Sequence, residues 1–144
     1  MAGRRIGSPG TLVLDSEGLS KLAAGDARTR AYLDSARDRG ARVAVSAITL
    51  TEVLRGGPRD AGVHQVLSRI AVVPVSAAIA RRAGELLGTT GLPGRPCAID
   101  AVIAATALEM TRPVVLLTSD LDDLNRLVEE PELSKAHRIA VVRV

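Results

Sequence analysis

Apolar residues occur along this chain in two patterns: short uninterrupted runs, and longer stretches in which they recur every three or four positions. Thr11–Asp15 (T-L-V-L-D), Arg42–Ser46 (R-V-A-V-S), Ala71–Val75 (A-V-V-P-V), Val114–Leu117 (V-V-L-L) and Arg138–Val144 (R-I-A-V-V-R-V) follow the first pattern. Runs of roughly four to eight such residues match strands of a parallel sheet buried on both faces. The stretches between them carry helix signals. Ser16 can cap a helix that holds Leu19 and Leu22 and stops at Gly25, and Asp26 opens a second, of about 13 residues, that ends near Gly40. Ala47–Arg55 predicts a short helix stopped by Gly56, Gly57 and Pro58; Asp60–Ile70 predicts another, and Ser76 starts one that runs to about Leu87. Gly88–Pro96 (G-T-T-G-L-P-G-R-P) predicts the longest loop. Cys97–Met110 is apolar nearly all round and predicts a central helix pressed between sheet and neighbours. Leu121–Glu129 predicts the last helix. Strands alternating with helices predict an α/β fold, a three-layer α/β/α sandwich around a central, mainly parallel sheet.

Length and composition narrow this picture. A chain of 144 residues that is 47% hydrophobic is the size of one domain with a substantial core. Residues 1–10 (M-A-G-R-R-I-G-S-P-G) read as a flexible start without the apolar stretch of a secretory leader, and 11–144 as the domain. No apolar run approaches the roughly 20 residues that cross a bilayer, so the expectation is a cytoplasmic protein without membrane contact. Cys97 is the only cysteine, and His64 and His137 are the only histidines. An internal disulfide is excluded and a zinc cluster disfavoured, which leaves oxygen as the ligand for any metal. The net charge of +3 is carried almost wholly by arginine, with Lys21 and Lys135 the only lysines. A mild positive excess favours a phosphate-bearing partner. Tyr32 is the sole aromatic residue, against a base-stacking platform.

The chemistry concentrates in acidic residues. In Pro113–Leu124 (P-V-V-L-L-T-S-D-L-D-D-L) an apolar run switches abruptly to hydroxyls and carboxylates. Ligands of open α/β sheets bind beyond the carboxyl ends of strands, where Asp15 and Asp120 are expected. Each acid also has an ordinary reading. Asp15 can simply end a strand, Thr49 and Glu52 fit a capping box, Asp100 suits the first turn of a helix, and Asp120 and Asp123 can cap the helix that follows. Together they ask for more, because Asp100 rides on an unusually apolar helix and clustered carboxylates repel unless a cation neutralises them. Hard divalent ions such as Mg2+ or Mn2+ take oxygen ligands and can activate water against a phosphodiester. Asp122 reads as a solvated neighbour.

Four motifs in order carry a resemblance: Asp15-Ser16 after a strand, T-E-V-L-R-G around Glu52, A-I-D-A-V-I-A-A-T-A around Asp100, and L-L-T-S-D-L-D-D-L around Asp120. From about Thr11 to Val144 the chain resembles PIN-domain ribonucleases, and within them VapC toxins of type II toxin–antitoxin pairs. The resemblance implies a metal-dependent endoribonuclease that uses Mg2+ or Mn2+. Asp15, Glu52 and Asp100 match the family's acidic trio, Asp120 its fourth acidic position and Asp123 a nearby one, all as candidate metal ligands. Ser16 and Thr118 match supporting hydroxyls, and Arg55, Arg95 and Arg112 are candidate RNA contacts. It also implies an RNA substrate, a homodimer, and a cognate VapB-like antitoxin joined in a heterotetramer or larger assembly. Apolar residues of the early helices, Leu19, Leu22, Ile48 and Leu50, could serve either interface. The alternative is a catalytically silent PIN-fold module that binds RNA or a partner. Receiver-type and haloacid-dehalogenase-type domains fit less well: Asp15 lacks an acidic partner before it, Leu117-Thr118-Ser119 contains no lysine, and Asp15-Ser16-Glu17 only loosely imitates D-x-D.

Overall fold

The computed structural model of the chain describes residues 8–144; of the expected flexible start, residues 1–7 lie outside the described residues. Thr11–Leu14 (β1), Arg42–Ser46 (β2), Ala71–Val73 (β3), Val114–Thr118 (β4) and Ala140–Arg143 (β5) form one sheet in the order β3-β2-β1-β4-β5. Every pairing is parallel, with Leu14 opposite Val45 on one side and Leu117 on the other. The sheet is thus wholly, not mainly, parallel, because every connection carries a helix across a face and brings the next strand back in the same direction.

Among the described residues seven α-helices cover the sheet: Ser16–Ala23 (α1), Ala27–Asp38 (α2), Thr49–Val53 (α3), Ala61–Leu67 (α4), Ala77–Thr90 (α5), Gly94–Glu109 (α6) and Leu121–Leu127 (α7). The alternation of side chains along β1 divides the core. Val13 points into a cluster with Ala101, Ile103, Ala104 and Leu116, while Leu12 and Leu14 join Leu22, Leu33, Val43 and Leu117 on the other face. A third cluster, around Leu19, Val45 and Val63, packs α1 on α4. Ala101, Ala104, Ala105 and Ala107 are fully buried, so the small side chains of α6 let it lie close against its neighbours. Leu19 and Leu22 are core residues, 0% and 3% exposed, and are not available to a partner.

Local chemistry sets the boundaries. Asp15, rather than Ser16, caps α1, its carboxylate accepting from Gly18 N. Asp26 caps α2 through the amide and hydroxyl of Thr29, and Ser76 caps α5 through Ile79 N. The expected loop Gly88–Pro96 shrinks to residues 91–93. α5 absorbs Gly88 as a tolerated interior glycine and runs to Thr90, and Gly91, at φ +70°, ends it. The hydroxyls of Thr89 and Thr90 donate back to the carbonyls of Glu85 and Leu86, and Arg95-Pro96 enters the first turn of α6, where proline forfeits no helical amide bond. β3 stops at Val73 because Pro74 has no amide for the ladder. A 3-10 turn, Pro58–Asp60, precedes α4, so the helix expected over Asp60–Ile70 is shorter. Another turn, Lys135–His137, delays β5 to Ala140. α7 ends at Leu127.

Gly10 and Gly25 both hold φ +81°, yet their surroundings differ. A Cβ on Gly10 would overlap the Pro113 carbonyl oxygen, whereas one on Gly25 meets nothing. Gly25→Ala is therefore expected to lose about 1–2 kcal/mol from left-handed backbone strain alone, and Gly10→Ala clearly more. Denaturant unfolding of the two variants measures the difference, and equal losses would contradict it.

Candidate functional site

The order of the strands reverses between β1 and β4, and their carboxyl ends lie side by side there. β1 delivers Asp15, whose amide donates to Leu117 O at 3.1 Å. Asp15 is buried, and its Oδ1 accepts from Gly18 N at 2.8 Å. The approach is close: a Cβ on Gly18 would sit 3.2 Å from Leu117 O and 3.5 Å from that Oδ1. Burial pushes the Asp15 carboxyl above its usual value, against the downward pull of the Thr118 hydroxyl and the Gly18 and Ser119 amides. Thr118 is buried at the end of β4 and its Oγ1 also accepts from Asp120 N at 2.9 Å. One hydroxyl therefore touches both strand ends.

Asp120 caps α7, its Oδ1 accepting from Asp123 N at 3.3 Å, which turns Asp123 back toward α6. Asp100 lies in the second turn of α6, because that helix starts at Gly94 instead of Cys97. Asp100, Asp120 and Asp123 each offer a carboxylate oxygen, and these atoms lie within 4.8 Å of one another. Burial raises the Asp100 carboxyl from 3.8 to about 6, helped by the charges of Asp120, Asp15, Asp123 and Glu52 in that order. All five acids thus act on one region. A set of hard carboxylate oxygens under mutual repulsion fits a divalent cation of the Mg2+ type.

The ordinary readings of these acids fare unequally. Asp120 caps a helix while belonging to the cluster, and Asp15, whose charge acts on Asp100 from outside it, caps another. Glu52 does not complete a capping box, since Thr49 is the first residue of α3, behind Ile48, and its buried Oγ1 has no partner. Glu52 is exposed. Ser16 begins α1 and is half-buried.

The arginines separate. Arg55 turns back on its own helix, its Nη1 donating to Leu54 O at 2.8 Å and Thr51 O at 3.3 Å. Arg112 precedes β4 and so lies at the sheet's amino edge, opposite the acids. There it donates to His137 O and pairs with Glu130 at 2.6 Å, and it is not a rim residue. Arg95 is exposed in the first turn of α6, at the end of the helix that carries Asp100.

Cys97 is the small buried side chain near a helix start that its sequence context suggests, but neither its place beside the acids nor the burial of Asp60 was foreseen. The Cys97 thiol is buried against Asp123, with Sγ 3.7 Å from Oδ2. Burial, then the Asp123 charge, pushes the thiol up, so it stands as a neutral group beside the acids. The three-residue spacing from Asp100 was the available signal, since it puts both on one helix face. Asp60 is a buried carboxylate ahead of α4.

The family profile described as PIN domain matches residues 12–130. Among solved structures, the chain is similar to VapBC2 from Rickettsia felis bound to a DNA fragment from their promoter. Identity there is 18%, the TM-score 0.68, and 93% of this chain and 98% of that chain are covered. It is also similar to a toxin–antitoxin complex from Klebsiella pneumoniae (23% identity, TM-score 0.60, 89% and 99% covered). FitAcB from Neisseria gonorrhoeae aligns at 24% identity and a TM-score of 0.56, with 90% and 95% covered. These likenesses are of fold. No curated protein sequence matches the chain.

A carboxyl whose folded value stands above its unfolded one holds its proton more tightly when folded. Asp100 therefore favours folding at low pH, a contribution lost as pH rises from about 4 through about 6. Asp100→Asn should stabilise the ion-free protein near neutral pH by on the order of 1 kcal/mol, a figure reduced because the carboxyl is partly open to water. The gain should vanish near pH 4. Thermal melts in EDTA at the two pH values check this, and a variant no more stable than its parent at neutral pH would contradict it.

Proposed function

The chain belongs to the PIN-domain family, and from that premise we propose that it is a metal-dependent endoribonuclease of the toxin kind, held in check by a cognate antitoxin. The observation that carries this reading is the convergence of Asp100, Asp120 and Asp123 within 4.8 Å, beside Asp15. The rim between β1 and β4 is where open α/β sheets bind ligands.

Asp100, Asp120 and Asp123 are the direct ligands in this proposal. Asp15 stands behind them, its carboxylate fixed by Gly18, Thr118 and Ser119. Glu52, exposed on α3, reaches in from the opposite wall. The ion, Mg2+ or Mn2+, supplies Lewis-acid stabilisation of a phosphodiester under attack by water. The protein's residues would hold it, and its charge would offset the repulsion among their carboxylates. Thr118 sets the spacing of Asp15 and Asp120 through one hydroxyl. Arg95, exposed at the start of α6, meets RNA phosphates, and Ser16 lines the entry. The protein acts in the cytoplasm; no described helix is long and apolar enough to cross a membrane.

The assembly is a homodimer that forms a heterotetramer or larger complex with a VapB-like antitoxin. The solved structures of VapBC2 and of the Klebsiella toxin–antitoxin complex support a partner of this kind.

Purified protein incubated with cellular RNA should cut it in Mg2+ or Mn2+ and stop in EDTA. Asp100→Asn should lower the rate about a hundredfold or more while the far-ultraviolet circular dichroism stays unchanged. Cleavage that persists in EDTA, or in that variant, would overturn the mechanism.

A further inference from the structure

Asp15 and Asp60 are the buried carboxylates among the described residues, and Asp60 belongs to no ligand set above. Its Oδ2 accepts from two consecutive amides, Arg55 N at 2.9 Å and Gly56 N at 2.6 Å. The chain held in this way leaves the end of α3. That helix has five residues, too few to stand alone, and begins without a side-chain cap. It carries Glu52, which is exposed and forms no ion pair among the described residues.

Asp60 also opens α4, and α4 is seated firmly. Val63 is buried with Leu19 of α1, and a Cβ on Gly62 would sit 3.3 Å from Ala23 O. Asp15 caps the other end of α1. A continuous path therefore runs from Asp15 through α1 and α4 to Asp60, and from its carboxylate to the end of α3. Leu50, Val53 and Leu54 of the α3 segment pack on the same cluster as Val63, so the clamp works on a helix already laid against that surface.

We propose that Asp60 is a positioning residue that fixes the Glu52 carboxylate at the acidic pocket, so that cation binding depends on a group that never touches the ion. The proposal rests on the reading of that pocket as a divalent-cation site. Without the clamp, Arg55 and Gly56 lose the acceptor for their amides, the one and a half turns of α3 loosen, and Glu52 samples positions away from the pocket.

Mn2+ titration by calorimetry on the full chain tests it, with circular dichroism confirming the fold of each variant. Glu52→Gln and Asp60→Ala should each weaken Mn2+ binding about tenfold, and the double variant should be no weaker than Glu52→Gln alone. Asp60→Asn, which keeps an acceptor oxygen, should recover most of the affinity. Asp60→Glu, which keeps the charge but displaces the oxygen, should not, and it carries the test should Asp60→Ala fail to fold. Additive losses in the double variant, wild-type affinity in folded Asp60→Ala or Asp60→Glu, or no effect of Glu52→Gln would each overturn the proposal. Absence of Mn2+ binding by the unaltered chain overturns the cation reading itself, and this proposal with it.

Discussion

Carboxylate oxygens gathered within 4.8 Å push one another apart, and only a stiff support keeps them together. Here the support is a sheet buried on both faces, with β1 and β4 ending side by side and a buried threonine hydroxyl tying the two ends. Free carboxylates would relax by turning toward solvent. Asp15 cannot, because Gly18, Thr118 and Ser119 hold it, and Asp100 is set on a helix whose remaining surface is largely buried. Burial, and after it the repulsion of the neighbouring acids, appears instead in the Asp100 carboxyl, which is raised to about 6. Capping and clustering are also not rivals in this protein. Asp15 and Asp120 satisfy helix amides with one oxygen, and that use is what aims the carboxylates.

Much of this was legible in the residues. T-L-V-L and V-V-L-L-T announce buried parallel strands because nothing in them alternates, and an aspartate directly after such a run has one place to go, the carboxyl edge of the sheet. The long apolar helix also declared itself, and alanine fills its buried side. What stayed hidden depends on distance along the chain or on competing local signals. Cys97 meets Asp123 across 26 positions, which no local pattern encodes. In Gly88–Pro96, glycine and proline are loop residues by preference, yet one glycine sits in a helix interior and Pro96 in a first turn, where neither is disallowed. Arg112 stands eight positions before Asp120 and reads in the sequence as a candidate RNA contact. The five residues of β4 that separate them carry the chain from one edge of the sheet to the other.

The two walls of the pocket differ in how they are built. On one side α6 and α7 pack into a large core, and their acids inherit its rigidity. On the other, α3 is short, uncapped at its start and joined to the body through a small apolar cluster and a handful of hydrogen bonds. Rigidity on one side and a lightly held segment on the other is an arrangement in which single polar contacts far from the chemistry carry weight.

The pairing of β1 with β4 also governs when the protein can exist. Leu14 finds its neighbour Leu117 only after more than two thirds of the chain has left the ribosome, and Asp100, Asp120 and Asp123 all belong to that late portion. Unfinished or truncated chains therefore carry Asp15 and Glu52 without the groups they face. A chain made only as far as β3 cannot assemble the acidic cluster, a consequence that arises from strand order alone.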